Sequence, residues 1–420
     1  MPGILLIFSK AFNKKPLTEF LVYVTGLSLS FFVVMPWFIR YFNSPLMISS
    51  YSVFIVSAVI MVINIRKIDM KHLTMDKAEI VLICIFLLVL LLRCLPMFFQ
   101  LAPAGADMSI YSNVARLIYE NDGISYSNKM PIAGPVAHSI GFAALSAEIS
   151  LLGDIPVYRS ALLLSCIGYA MVCFGLYVLL LRFFNRPTSA ATSIAATFLS
   201  CSPWWLIRLG GDPAVLSLFF FLIAISLIIE LKSSFSWSKL VFAFLSLAAA
   251  LTAYSAVYYS SRAYLLLLIP LAFISAEAIS SMINTKKKYL LSASILIGFV
   301  LYCVFYLFSS ISMCSVTQAD IDALRWMDNT ISKSAVIANN YGDAGLWIPA
   351  ITGRAITNPY SEPVHGEELA AGLAKLRPDY IFIGGKAVYQ TEYKKDDLAA
   401  KPWRYKRVYS NDGAQVWKIL

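Results

Sequence analysis

Nine long apolar runs, separated by short charged segments, constrain the fold of this chain more than any other feature. A helix that crosses a bilayer needs about 20 mostly apolar residues. The runs that meet this requirement are Phe20–Ile39, Leu46–Ile65, Glu79–Phe99, Val157–Leu181, Ser189–Ile207, Ala214–Leu231, Leu240–Tyr259, Tyr264–Ile283 and Tyr289–Ile311. Hydrophobic residues make up 59% of the chain and charged residues only 14%, which excludes a wholly soluble globular protein. The sequence therefore predicts a polytopic α-helical membrane protein with nine transmembrane helices.

The positive charges predict how these runs cross the membrane. The chain carries 34 Lys and Arg against 24 Asp and Glu, and cytoplasmic loops of membrane proteins collect such an excess. If a tenth, polar-interrupted stretch, Gly134–Leu152, does not cross, the basic clusters all fall on the side of the N-terminus. These clusters lie within residues 10–15, 66–77, 182–186, 232–239 and 286–288. We therefore expect a cytoplasmic N-terminus, and we interpret Gly134–Leu152 as a helix in or re-entering the interface.

In this topology, Gln100–Pro156 forms one long external loop with two juxtamembrane helices. The first is predicted over Met108–Glu120, where apolar side chains recur on one helix face. The second is the interfacial stretch Gly134–Leu152. Asp107 directly precedes the first helix, at the position of an N-cap. The transmembrane domain with this loop is predicted to span residues 1–314.

Residues 315–420 have the pattern of a small α/β domain, which this topology places outside the plasma or inner membrane. Its predicted elements are helices over Ala319–Ile331 and Glu367–Leu376, strands over Ala335–Asn339 and Tyr380–Gly384, and a β-hairpin over residues 407–419. The pair Asp412-Gly413 is typical of the two central residues of a hairpin turn.

Two acidic residues on the external side are candidates for chemistry, and each also has a structural interpretation. Asp107 is either a helix cap or a general base that deprotonates an acceptor hydroxyl or amine. Asp212 follows Arg208 and a pair of glycines. It is either a helix cap or a ligand-facing acid, because Gly210-Gly211 permits close approach of the backbone to a ligand. The residue types alone leave both alternatives open.

Several cations near the external side also have two interpretations. Lys129, Arg208 and Arg262 together suit the phosphate of a lipid headgroup. The alternative is that each one simply extends toward the membrane surface. Arg93 lies inside the third apolar run, and we expect its long side chain to snorkel outward in the same way.

Four aromatic or histidine residues are assigned to a substrate groove. Tyr254 and Tyr258 fit either an interfacial aromatic belt or the wall of a groove for a sugar or prenyl chain. His138, in the second juxtamembrane helix, is either structural or part of this groove. Tyr111 lies on the apolar face of the first juxtamembrane helix and completes the set.

The order of these features resembles the GT-C glycosyltransferases, which use polyprenyl-phosphate-linked sugars and include aminoarabinose transferases, protein O-mannosyltransferases and oligosaccharyltransferases. Gly105-Ala106-Asp107, at the start of an amphipathic helix, is similar to the acidic motif of their first external loop. Lys129-Met130-Pro131 is similar to the entry into their second juxtamembrane helix. Ser202-Pro203-Trp204-Trp205, followed by Arg208 to Asp212, resembles the segment that carries their second external acid.

The resemblance implies an integral membrane glycosyltransferase. Such an enzyme transfers a sugar from a polyprenyl-phosphate carrier to a glycan, lipid or protein acceptor at the external face, with inversion. It implies that Asp107 is the catalytic acid/base and that Asp212 is a second acid, orienting the acceptor or a metal. It also implies that Lys129 and Arg208 contact the carrier phosphate. Arg262 joins that phosphate site by its position alone.

Two departures from the family pattern bear on the metal and the donor sugar. Many relatives have a second carboxylate where this chain has Met108, and a basic residue where it has Ile110. These departures weaken the case for a metal held by an acidic pair in the first loop, and they leave the donor sugar unassigned. A divalent metal ion stays open as a cofactor, with Asp107 and Asp212 as its candidate ligands.

Two other functions remain open. A glycan polymerase or ligase is also multispanning, but it would place functional basic residues in loops after the fourth span, whereas here external charge clusters before it. A transporter or flippase of lipid-linked glycans would have polar residues in mid-membrane and spans broken by Gly or Pro, and most runs here are uninterrupted. The expected partners are the bilayer, the lipid-linked donor and the acceptor, and not nucleic acid, because the charge excess follows topology.

Overall fold

The computed structural model describes most of the chain and is dominated by helices. The described residues are 3, 12, 15–42, 45–64, 77–105, 107–123, 140–200, 212–253, 268–283, 288–358, 377–389 and 391–420. The first twelve helices are α1 Leu17–Phe42, α2 Leu46–Asn64, α3 Lys77–Cys94, α4 Pro96–Phe99, α5 Asp107–Glu120, α6 Ile140–Gly153, α7 Val157–Leu180, α8 Arg186–Ser200, α9 Asp212–Ser233, α10 Trp237–Ala253, α11 Leu268–Ile283 and α12 Lys288–Met313. We call α1 to α12 the helical domain.

The helical domain agrees with an integral membrane protein. Within the described residues, four helical segments are long and apolar enough to cross a bilayer: Leu17–Met35, Ile80–Phe99, Val157–Leu180 and Asp212–Ser233. Each of the nine predicted runs overlaps a described helix, although several of these helices are shorter than a span requires. The membrane character is therefore supported, and the number of nine crossings stays a prediction.

Helix α7 lies at the centre of the helical domain, because it is apolar on all sides. It packs against α3, α5, α6, α8 and α9. Helices α7 and α9 pack closely at Gly175, which faces Phe219 and Leu222. A Cβ added at Gly175 would lie 3.0 Å from the Phe219 ring. A small residue here lets the two backbones come close, as is common between membrane helices.

The two helices predicted for the loop Gln100–Pro156 are present as α5 and α6 and pack against each other, whereas their juxtamembrane position stays a prediction. Helix α5 begins one residue earlier than predicted, with Asp107 in its first turn. Helix α6 covers the second half of the predicted Gly134–Leu152 stretch, whose first residues lie outside the described part. Nearly all of α5 is buried, and the ring centroids of Tyr111 and Phe142 are 6.0 Å apart across the contact.

The C-terminal part of the chain forms a five-stranded sheet with short helices, which we call the tail domain (residues 315–420). Its elements are α13 Gln318–Thr330, β1 Val336–Asn339, α14 Ile348–Thr352, β2 Ala355–Ile356, β3 Tyr380–Ile383, α15 Lys395–Ala399, β4 Tyr405–Ser410 and β5 Gln415–Ile419. The strand order is β2-β1-β3-β5-β4. Strand β1 runs parallel to β2 and β3, and β5 runs antiparallel to β3 and β4.

The sequence predictions for the tail domain are largely confirmed. The first helix, both predicted strands and the β4–β5 hairpin are present, with Asp412-Gly413 in the connection. A capping box between Thr317 and Asp320 fixes the start of α13, which satisfies the first backbone N–H groups of the helix. The predicted helix Glu367–Leu376 lies outside the described residues. The two-residue strand β2 was not predicted, because so short a segment has no periodicity.

The tail domain rests on the juxtamembrane helix α5 through α14 and the 3₁₀ turn before it, Ala344–Trp347. Arg116 of α5 donates a hydrogen bond from Nε to the carbonyl oxygen of Pro349 at 2.8 Å. Gly353, with φ at +74°, ends α14 against the same guanidinium, and a Cβ added there would lie 2.8 Å from Arg116 Nη1. The helix that begins at Asp107 is therefore packed directly against the tail domain.

A largely buried ion network joins four helical elements of the helical domain. Glu230, near the end of α9, accepts from Lys15 at 2.6 Å, from Arg182 at 2.8 Å and from Lys239 at 3.1 Å. Glu19 of α1 pairs with Lys15 at 2.5 Å and also with Arg182. Three cations thus share two carboxylates, which keeps each of these charges paired away from water.

Candidate functional site

Both acids singled out in the sequence lie in the first turn of a helix. Asp107 opens α5 and is partly exposed, whereas Asp212 opens α9 and is 8% exposed. The positive end of a helix dipole favours a carboxylate at this position. Both acids thus start a helix as predicted, although Asp107 is the first residue of its helix and not the residue before it. A carboxylate held at a helix N-terminus can also act on a ligand, so the cap and the chemical role are compatible.

Asp212 lies in a small polar cleft inside the helical domain. The lining residues are Pro103, Ala104, Leu162, Ser165, Cys166, Tyr169, Asp212, Tyr306 and Ser310. The free volume is about 10 Å³, close to the space of a single water molecule. The cleft brings together one carboxylate, two phenols and two hydroxyls from α7, α9 and α12. These are groups that accept and donate hydrogen bonds to a hydroxylated ligand.

Arg93 lies beside this cleft in a cage of tyrosine rings, and its predicted outward extension is wrong. It is only 1% exposed. Its guanidinium lies 5.1 Å from the ring centroid of Tyr169, 4.9 Å from that of Tyr302 and 4.6 Å from that of Tyr306. Nη2 also donates to the Tyr302 hydroxyl at 3.2 Å. Aromatic faces attract a cation, which explains why this arginine points inward.

The cleft of Asp212 is also lined by residues that precede Asp107 in the sequence. Pro103 and Ala104, which line it together with Asp212, belong to the segment that leads into Asp107. Gly105 turns this segment with φ at +97°, a conformation that glycine adopts at little cost. The segment before α5 and Asp212 therefore line the same cleft.

The structure describes three of the nine predicted site residues, Asp107, Tyr111 and Asp212. Asp107 and Asp212 lie as described above. Tyr111 is 2% exposed in the contact between α5 and α6, so its role in a groove stays a prediction. The predicted site residues outside the described part are Lys129, His138, Arg208, Tyr254, Tyr258 and Arg262.

A second, larger groove lies between α4 and the tail domain, and sequence reasoning did not find it. Its free volume is about 440 Å³. The lining residues are Met97, Phe98, Phe99, Gln100, Leu101, Arg159, Ile311, Cys314, Val316, Thr317, Gln318 and Lys386. The only charged residues among them are Arg159 and Lys386, which are 227 positions apart in the sequence. No local motif joins two such distant cations, so only the folded chain reveals the groove.

Two buried carboxyls lie at the carboxyl ends of the tail domain strands. Asp343 follows β1 and accepts from the backbone N–H groups of Gly345 at 2.7 Å and Gly384 at 2.8 Å. Asp320 accepts from the N–H of Gly385 at 2.7 Å. Burial raises the pKa of Asp343 to about 6, although its hydrogen bonds act in the opposite direction. Burial likewise raises the pKa of Asp320.

The described residues offer little to a resident metal ion. Among them, no three His, Cys, Asp or Glu side chains are grouped so that they could hold one. Asp107 and Asp212 provide two carboxylates, and Mg²⁺ is commonly held by one or two carboxylates together with substrate phosphates, so a metal at these two acids stays a prediction. We therefore derive no step through a metal.

Comparisons with known proteins do not place the chain in a family. No protein-family model matches it, and no curated protein matches it significantly. The function therefore has to be argued from the residues and their geometry.

Proposed function

We propose that this protein is an integral membrane glycosyltransferase that takes its sugar from a polyprenyl-phosphate carrier. The observation that carries the proposal is the cleft of Asp212, whose wall is the segment that leads directly into Asp107. One acid in a polar cleft, and a second acid at the start of the helix that follows a cleft-lining segment, suit orientation of a hydroxylated substrate and proton transfer. The apolar helices around them suit a donor that is itself a lipid. The motif order Gly105–Asp107, Lys129–Pro131 and Arg208–Asp212 supports the same class.

The reaction follows from these groups. The acceptor oxygen or nitrogen forms a bond to the anomeric carbon while the bond from that carbon to the phosphate oxygen breaks. The lipid phosphate leaves with the electron pair, and the carboxylate of Asp107 takes the proton of the acceptor. Attack opposite to the leaving phosphate inverts the anomeric centre. Asp212 orients the acceptor from its cleft.

Cations complete the proposed site. Lys129 and Arg208, with Arg262, stabilise the negative charge that grows on the leaving phosphate. Tyr111, His138, Tyr254 and Tyr258 line the groove for the sugar and prenyl chain. In this proposal the N-terminus is cytoplasmic, and the tail domain lies outside the membrane, where it covers the acceptor side of α5. The positive-inside distribution of the loops supports this orientation.

The helix-cap alternative for Asp107 gives a sharp test. Asparagine caps a helix about as well as aspartate, but it cannot accept a proton. We therefore expect Asp107→Asn to keep expression and thermal stability while it lowers sugar transfer by about 10²–10⁴-fold, the usual contribution of a general base. The measurement is transfer of labelled sugar from polyprenyl-phosphate donors by purified protein, with donor and acceptor classes chosen by mass spectrometry of surface glycans from cells with and without the gene.

Asp412→Asn is the matched control, because Asp412 is an exposed residue of the hairpin connection in the tail domain. It should transfer sugar at the normal rate. Full activity in Asp107→Asn would contradict the catalytic role. A transporter would instead move lipid-linked glycan across vesicles without forming a new glycosidic bond, and the same assay separates the two.

A further inference from the structure

The groove between α4 and the tail domain has the chemistry of a lipid headgroup site. Arg159 and Lys386 give it two positive charges and no negative charge among its lining residues. Arg159 donates to the carbonyl oxygens of Met97, at 3.1 Å, and Gln100. Lys386 donates to the carbonyl oxygen of Ile311 at 2.7 Å. A guanidinium has five N–H donors and an ammonium has three, so both cations keep donors for an anion.

Gln100 adds a second, independent observation. Its side chain is 3% exposed, and its Nε2 donates to the Ser310 hydroxyl at 2.7 Å. Its Oε1 is buried and has no hydrogen-bond partner in the described part of the chain. A buried carbonyl oxygen without a donor costs about 1–3 kcal/mol. A ligand that offers a hydroxyl or ammonium N–H at this point of the groove would satisfy it.

Two exposed phenylalanines place the groove at the membrane surface. Phe98 is 81% and Phe99 62% exposed, and both line the groove. They end the segment Ile80–Phe99, which is long and apolar enough to cross a bilayer. A groove at the end of such a segment lies where hydrocarbon gives way to headgroups. Exposed aromatic rings at this depth suit contact with acyl chains, and the cations of the groove suit lipid phosphates.

We propose that this groove binds one bilayer glycerophospholipid whose headgroup carries a hydroxyl or ammonium donor, as phosphatidylglycerol does. The phosphate lies between Arg159 and Lys386, the headgroup donor reaches Gln100 Oε1, and the acyl chains pack on Phe98 and Phe99. Because Arg159 belongs to α7 and Lys386 follows β3, the lipid bridges the helical domain and the tail domain. This site is separate from the proposed sugar transfer and does not rest on it.

The test uses the delipidated full-length protein in detergent, titrated with dioleoyl phosphatidylglycerol and followed by native mass spectrometry. We expect one retained lipid, bound roughly tenfold more weakly by Lys386→Gln, since a charge-assisted hydrogen bond is lost. Gln100→Leu should bind phosphatidylglycerol more weakly but leave the affinity for phosphatidylcholine unchanged, because choline has no N–H or O–H to donate.

Lys418→Gln is the matched control, because Lys418 is an exposed cation on β5 outside the lining of the groove. It should bind phosphatidylglycerol as the unaltered protein does. The proposal would be overturned if Lys386→Gln and Gln100→Leu both bound phosphatidylglycerol with the affinity of the unaltered protein. Tighter binding of polyprenyl phosphate than of phosphatidylglycerol would also overturn it, because the groove would then be part of the donor path. Each variant is judged by its affinity for phosphatidylglycerol relative to phosphatidylcholine, so a lower unfolding temperature does not affect the result. If Lys386→Gln does not fold, the same comparison for Gln100→Leu tests the proposal.

Discussion

At the scale of single residues, burial determines which groups surround an ionisable side chain, as Arg93 and Asp343 illustrate. Arg93 lies in an apolar run, and its inward direction depends on three tyrosine rings contributed by α7 and α12. Asp343 is buried at 1% exposure in the tail domain, where three N–H donors surround its carboxyl. Both side chains are polar groups inside the fold, and each is tolerated because its neighbours replace water.

Asp343 gives the tail domain a stability that depends on pH. Its folded pKa of about 6 lies above the ordinary 3.8, so between these values the folded protein holds a proton that the unfolded chain has lost. Its contribution to the free energy of unfolding is therefore full below about pH 4 and falls as pH rises through 6, by about 3 kcal/mol at most. We expect the difference in unfolding temperature between the unaltered protein and Asp343→Asn to change over this range, as measured by thermal unfolding of the full chain in detergent.

The comparison needs an exposed carboxylate as its reference. Asp396 lies exposed in α15, so Asp396→Asn makes the same chemical change outside the interior and should leave the unfolding temperature close to that of the unaltered protein. A difference for Asp343→Asn that stays constant from pH 4 to 7 would mean that Asp343 titrates at the same pH in the folded and unfolded chain.

At the scale of elements, the contact between α5 and α14 connects the tail domain to the candidate site. Arg116 reaches the Pro349 carbonyl, and its guanidinium fills the space beside Gly353. The left-handed backbone at Gly353 is the usual end of a helix that stops at glycine. The contact therefore depends on the absence of a side chain at Gly353 and on the long side chain of Arg116.

Gly353→Ala should weaken this contact for two reasons. An alanine with φ at +74° is strained by about 1–2 kcal/mol, and its Cβ would displace the guanidinium of Arg116. We expect a lower unfolding temperature and faster cleavage between the helical and tail domains in limited proteolysis. Gly298→Ala is the control, because a Cβ at Gly298 of α12 meets nothing within 4 Å and alanine favours a helix. Unchanged proteolysis of Gly353→Ala would show that the contact does not hold the tail domain.

At the scale of the whole molecule, the ion network around Glu230 holds distant segments together. Glu230 lies in α9, Glu19 in α1, Lys239 in α10, and Arg182 directly after α7. The partners come from positions as far apart as 15 and 239, and most are largely buried. Removing one carboxylate from such a set leaves cations without compensation inside the protein.

We therefore expect Glu230→Gln to destabilise the protein by about 3–5 kcal/mol, the usual cost of breaking a buried ion pair from one side. Thermal unfolding in detergent measures it. Glu277→Gln is the matched control, because Glu277 is exposed on α11, and it should unfold at the normal temperature. An equal unfolding temperature for both variants would show that the network is solvated and contributes little.

The sequence by itself predicted long apolar helices in the helical domain, the first helix, two strands and hairpin of the tail domain, and the helix starts near Asp107 and Asp212. It did not predict the break between α3 and α4 inside the run Glu79–Phe99. The apolar helices follow from length and apolarity, because a backbone in lipid must satisfy its own hydrogen bonds. The strands and the hairpin follow from the local sequence signatures of strands and turns. Only the tertiary structure decided that Pro103 and Asp212 line one cleft, that Arg93 points into a tyrosine cage, and that Arg159 and Lys386 share one groove. These contacts join residues far apart in the chain, and their partners are chosen by packing between elements, which no local pattern encodes.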